Sequence, residues 1–120
     1  MSSEDVKVFK NENTIEVCFF IEHKSILPIG EKMNEINENA YMNGYNWEAF
    51  LKSYLEQKNP ELLKEMETDP EAGTYVAYYK LTKENEDKAE KFSKLIQSLI
   101  ENNEKIYTFL RENGNEIQWD

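Results

Sequence analysis

The chain predicts an α+β domain: a small, mainly antiparallel sheet of three or four strands packed with helices. Three observations point there. Residues 14–22 alternate with a period of two, placing Ile15, Val17, Phe19 and Ile21 on one face and Glu16, Cys18, Phe20 and Glu22 on the other. Ala89, Phe92, Leu95, Ile96, Leu99 and Ile100 recur at helical spacing instead, as one broad apolar stripe. The length of 120 residues suits one domain, residues 1–120, and buries enough surface to need no disulfide or metal. The predicted order is β-β-α-α-α-β-α-α.

Taken in order, Val6–Lys10 alternates loosely as a short strand, and Asn11-Glu12-Asn13 supplies turn chemistry. With residues 14–22 it predicts an antiparallel hairpin. Residues 23–30 read as a loop bounded by Pro28 and Gly30. A helix is expected over residues 31–42, with Met33, Ile36, Ala40 and Tyr41 as a thin stripe. Asn43-Gly44 fits its C-terminal cap, since both residues tolerate a left-handed backbone. Asn46 then caps the next helix, where Trp47, Phe50, Leu51, Tyr54 and Leu55 form the buried stripe. Lys58-Asn59-Pro60 ends that helix. Asn59 is expected to cap a short one, with Pro60 at its first position and Leu62, Leu63 and Met66 facing inward.

Residues 68–73 read as a turn or loop. Residues 74–81 read as a strand with Tyr75, Ala77, Tyr79 and Leu81 on one face and Val76 and Tyr78 on the other. Two partly apolar faces place this strand centrally in the sheet. Thr82 caps the longest helix, residues 82–101, and Asn102-Asn103 breaks it. Ile106, Tyr107, Phe109 and Leu110 resume the pattern, and Gly114 ends it. Ile117-Gln118-Trp119 is expected to add a short strand or to dock on the core.

Composition narrows the function. Asp and Glu number 24 against 14 Lys and Arg, a net charge of −10. A phosphate-binding surface needs a positive patch, and none is visible, so nucleic acid and anionic membranes are not expected partners. A basic protein partner is favoured, because opposite charges speed encounter. The acids crowd residues 31–71, although a charge run is ordinarily only a solvated face. The lone Cys18 permits no internal disulfide, which fits a reducing cytoplasm. The polar start predicts no secretory leader, and no stretch approaches the roughly 20 apolar residues of a membrane span.

Catalytic chemistry finds little support. His23, the only histidine, has no metal-ligand or serine partner at a telling spacing. Cys18 sits mid-strand with Glu16 as its nearest charge, the setting of a small hydrophobe rather than a nucleophile. Asp69 and Glu71 could serve as paired carboxylates or bind a hard cation, but their spacing lacks a calcium-loop pattern. A proline turn leading into a strand accounts for them. No cofactor or metal is expected. Tyrosine and tryptophan favour protein interfaces. Of Tyr41, Tyr45, Trp47, Tyr54, Tyr75, Tyr78 and Tyr79, most are expected in the core, with Tyr45 and Tyr78 the exposed ones.

At Gly44-Tyr45-Asn46-Trp47, followed by Asp69-Pro70-Glu71-Ala72-Gly73-Thr74-Tyr75, the sequence resembles the immunity protein 51 family of bacterial polymorphic toxin systems. In that family a Gly-Tyr-x-Trp opens a helix. A later Asp-Pro-Glu-Ala-Gly runs into an aromatic strand, and a long amphipathic helix follows. The resemblance covers residues 17–110. It implies a cytoplasmic protein of contact-dependent inhibition systems that binds a cognate toxin domain and neutralises it by occlusion, without catalysis. Nucleases with basic clefts are common among such toxins, and a chain of net charge −10 suits one. Much of the motif is then structural. Candidates for partner binding are Tyr45, Glu48, Glu67, Asp69, Glu71 and Tyr78. Two rival readings are an acidic interaction adaptor or nucleic-acid mimic, and an enzyme built on Asp69 and Glu71. Nothing in the sequence sets the oligomeric state.

Overall fold

The computed structural model describes residues 4–120, so the first three residues of the polar start lie outside it. Four strands form one antiparallel sheet in the order β1-β2-β4-β3. They are β1 Val6–Lys10, β2 Thr14–Phe19, β3 Glu67–Thr68 and β4 Tyr75–Lys80. The helices are α1 Leu27–Ile36, α2 Gly44–Lys58, α3 Lys83–Glu101 and α4 Glu104–Asn113, with short 3-10 turns at Pro60–Leu63 and Gly114–Glu116. The α+β class and the order of elements are as the sequence predicts.

The period-two pattern builds the sheet. Asn11 Oδ1 accepts from the amides of Asn13 and Thr14 at 2.9 and 2.7 Å, which closes the β1–β2 hairpin. Ile15, Val17 and Phe19 then fall on the buried face, joined by Tyr75, Ala77 and Tyr79 of β4. β4 lies inside the sheet, between β2 and β3, as its two apolar faces predict. α2 and α3 pack on that buried face, and α1 packs against α4. Phe19 meets Trp47 of α2 edge-on at 4.9 Å, and Tyr75 meets Phe92 of α3 at 6.2 Å. Phe50 of α2 contacts Phe109 of α4 at 5.6 Å, so α2 joins the sheet layer to the C-terminal helix. Aromatic pairs at such spacings add roughly 0.5–1.5 kcal/mol each beyond burial.

Caps and breaks explain the boundaries. Thr82 Oγ1 accepts from the Asn85 amide at 3.0 Å and starts α3, as expected. Asn102-Asn103 separates α3 from α4, also as expected. Ile117 docks in the core, and the half-buried Trp119 donates from Nε1 to the Gly114 carbonyl at 3.1 Å, which settles the tail as a docked segment.

Six local expectations are corrected. The second strand ends at Phe19 rather than at residue 22, because the chain turns there, with the His23 amide donating to the Phe20 carbonyl. The first helix is Leu27–Ile36, not 31–42: Pro28 sits in its first turn, where a missing N–H costs nothing. Tyr41, placed by that shift in an irregular connection, is 72% exposed instead of core. Asn43 is the N-cap of α2, its side chain accepting from the Asn46 amide at 2.9 Å, so Asn43-Gly44 opens a helix rather than closing one. Residues 67–68, within and just before the expected loop, form β3, entered through Glu65 at φ 64°. Asn59 precedes its short 3-10 turn without a side-chain cap.

Candidate partner-binding surface

The two sequence motifs meet in space. Asp69-Pro70-Glu71-Ala72-Gly73 makes a tight turn between β3 and β4, with the Asp69 amide donating to the Val76 carbonyl at 2.8 Å and the Glu71 amide to Thr74 at 2.8 Å. The start of α2 presses against this turn. The Gly44 amide donates to the Ala72 carbonyl at 3.0 Å. A Cβ on Gly44 would lie 1.7 Å from the Glu71 carbonyl oxygen and 2.5 Å from that of Thr74. Only glycine fits such an approach.

The rest of the helix-opening motif is structural as well. Asn46 is buried; its Nδ2 donates to the Tyr41 carbonyl at 2.7 Å and its Oδ1 accepts from the Asp120 amide at 2.7 Å. Trp47 packs between Phe19 and Phe50. Tyr45 alone points outward, 41% exposed.

The six predicted partner-binding residues bracket the β3 edge without forming one flat patch. On the helix side, Tyr45 and Glu48 line a groove of about 430 Å³ between α2 and the C-terminal segment, together with Lys52, Glu56, Trp119 and Asp120. Glu48 is half-buried, and its carboxylate accepts the Thr68 hydroxyl, so part of its capacity serves to tie α2 to β3. On the opposite side lies the sheet face that no helix covers. There Phe9, Glu16, Tyr78 and Glu67 are successive cross-strand neighbours, a row across all four strands. The next row carries Lys7, Cys18 and Val76, with Asp69 beside Val76. Glu71 stands exposed on the turn. Glu67, Asp69 and Glu71 make no ion pair among the described residues.

Titration and burial bear on the remaining chemistry. Burial, reinforced by Glu16, pushes the Cys18 thiol up, which keeps it protonated and unreactive. Burial lifts the Tyr75 phenol far above its usual range, with Glu48 and Tyr79 adding to it, and burial does the same to Tyr79. Tyr79 also donates to the Leu62 carbonyl at 2.6 Å. Asp69 and Glu71 both stand exposed on their turn rather than converging in a pocket. No group of three His, Cys, Asp or Glu residues that could hold a metal occurs among the described residues. Nor is any helix among them long and apolar enough to cross a membrane.

Three participants escape sequence reasoning. Asp5 accepts from the Ser25 hydroxyl at 2.8 Å and lies 2.9 Å from His23 Nδ1, which ties the loop after β2 to the start of β1. Trp119 joins the Tyr45 groove from far along the chain, with no local signal. Glu16 was legible as an outward strand residue, but its place beside Tyr78 depends on pairing.

The sequence model of the family described as immunity protein 51 matches residues 6–115. The chain belongs to that family. In this member of the immunity protein 51 family, the joined motifs build the contact between α2 and the β3–β4 turn. Neither a curated protein nor a solved structure matches the chain. Membership of an immunity family suggests a toxin-neutralising role.

Proposed function

We propose that this protein binds a cognate toxin domain in the cytoplasm and neutralises it by occlusion, without catalysis. The observation that carries the reading is the match to immunity protein 51 over residues 6–115. Charge supports a basic partner. The chain carries −10, and Glu67, Asp69 and Glu71 stand together at the β3 corner without ion pairs among the described residues. Such an uncompensated group attracts a basic surface through the solvent and favours its approach in one orientation. Tyr45, exposed, and Tyr78, half-buried rather than exposed as the sequence suggested, supply ring surface on either side of that corner, the kind of residue that anchors interfaces. A toxin acting on nucleic acid, with a basic substrate cleft, is the activity best matched to this charge.

The test is co-expression with a candidate cognate toxin domain. Restored growth and a complex that survives gel filtration are expected. Toxicity unabated, with no complex in solution, would refute the reading. Binding to several unrelated basic proteins with equal strength would favour a general acidic adaptor instead.

A further inference from the structure

We propose that the cleft between α2 and the β3 edge of the sheet seats one lysine side chain of a basic protein partner. The inner face of the sheet sets the cleft's place. β3 is only two residues long, and Thr68 pairs with Ala77, so its side chain shares the inner face with Ala77 and Tyr75. α2 and the 3-10 turn at Pro60–Leu63 close over that face. They leave a cleft of about 310 Å³. Ligand pockets run from roughly 300 to 1,000 Å³, so this one suits a single long side chain rather than a cofactor.

Its polar lining is not satisfied from within the chain. Tyr75 is only 1% exposed, yet its hydroxyl bonds none of the described residues. The oxygen is not sealed in the core, since no sealed side-chain oxygen among the described residues lacks a partner; it reaches the cleft that Tyr75 lines. A buried hydroxyl without a partner costs free energy, which points to an occupant. Glu48 lines the same cleft, half-buried. One of its carboxylate oxygens accepts the Thr68 hydroxyl, and the other meets none of the described residues. Glu48 stands close enough to Tyr75 to help push its phenol up.

Chemistry selects the occupant. Glu48, Thr68 and Tyr75 offer three acceptor groups to one cleft, and one of them is charged. A lysine ammonium brings three donors and no acceptor. Leu55, Leu63 and Met66 wall the cleft for its aliphatic stem. A guanidinium is best held by both oxygens of a carboxylate, and Thr68 already occupies one of them. Lys52 also lines the cleft but is exposed. Its charge is therefore screened more strongly than that of the half-buried Glu48. Glu56, one helical turn on, lies within its reach.

Only the identity of the partner rests on the toxin reading; the cleft itself is tested without a toxin. The probe is Nα-acetyl-lysine methylamide, titrated into the isotope-labelled full chain and followed by amide NMR, beside its norleucine and arginine counterparts. The lysine probe should shift the amides of Glu48, Thr68 and Tyr75 saturably in the millimolar range. The norleucine probe should not, and the arginine probe should bind more weakly. Glu48→Gln should weaken the lysine probe by about tenfold or more, and Tyr75→Phe by roughly threefold. Tyr75→Phe should leave the urea midpoint no lower, because the lost hydroxyl bonds nothing in the fold. Absence of a saturable shift overturns the proposal, as does norleucine binding as well as lysine, or arginine binding more tightly. A destabilised Tyr75→Phe chain gives the hydroxyl a structural role and overturns it too. With a toxin domain in hand, a parent chain that binds it while Glu48→Gln and Tyr75→Phe bind equally well overturns the lysine seat and leaves the toxin reading standing. A parent that takes the lysine probe as expected but binds no toxin contradicts the toxin reading and leaves the seat standing.

Discussion

Gly44 is the residue on which the two family motifs turn. Its missing side chain lets the first turn of α2 touch the Glu71 and Thr74 carbonyls, so the packing of this corner depends on an atom that is not there. Gly44→Ala should cost about 1–3 kcal/mol or more, since backbone rather than a pliable side chain stands in the way. Urea unfolding measures it; an unchanged midpoint would mean that the turn yields freely. Asn46 works by hydrogen bonding instead, holding Tyr41 and Asp120 from a buried position. Asn46→Ala leaves the Asp120 amide without its partner and should cost about 1–3 kcal/mol, again read from the urea midpoint. Cys18 should react slowly with thiol reagents in the folded chain, because burial and Glu16 hold it protonated. Labelling as fast as in the unfolded chain would contradict that placement.

At the scale of elements, the aromatic seam between the sheet and the helices makes stability depend on alkaline pH. Tyr75 and Tyr79 have folded pKa values raised above the unfolded value of about 10. A raised folded value means that the native state holds its proton more tightly. The contribution is therefore complete below about pH 10 and is lost as pH rises beyond it. Unfolding free energies measured from neutral pH upward should fall in that window, and a flat profile would contradict the buried phenols. These elements were largely legible beforehand. Period two in residues 14–19 and the stripe from Ala89 to Ile100 each admit one geometry, and Thr82 and Asn102-Asn103 punctuate α3 as their chemistry dictates. The misread stretch, residues 27–46, contains residues with two uses. Pro28 can bound a loop or open a helix, and Asn43-Gly44 can close a helix or begin one. Local chemistry does not choose between these; the docking of Gly44 on the β3–β4 turn does. β3 was invisible because two residues carry no period, and only pairing with Tyr78 and Ala77 makes them a strand.

For the whole molecule, the sequence showed the excess of acid but not where it stands. Folding leaves Glu67, Asp69 and Glu71 beside Tyr78 at one edge of the sheet, with Tyr45 across the β3 corner, and it puts the two lysines of β1 at the other edge. The triple variant Glu67→Gln, Asp69→Asn, Glu71→Gln should slow toxin association by about tenfold at low salt. It should shift stability by no more than about 0.5 kcal/mol, because these exposed side chains hold nothing together. Stopped-flow association across a salt series would read both the rate and its slope; equal rates for parent and variant would remove the acids from the encounter. The central claim, neutralisation by binding, is tested most directly by co-expressing this chain with a candidate cognate toxin domain and isolating the complex. The account predicts restored growth and a stoichiometric complex in which the toxin is intact but inactive. Continued killing with no complex in solution would contradict it.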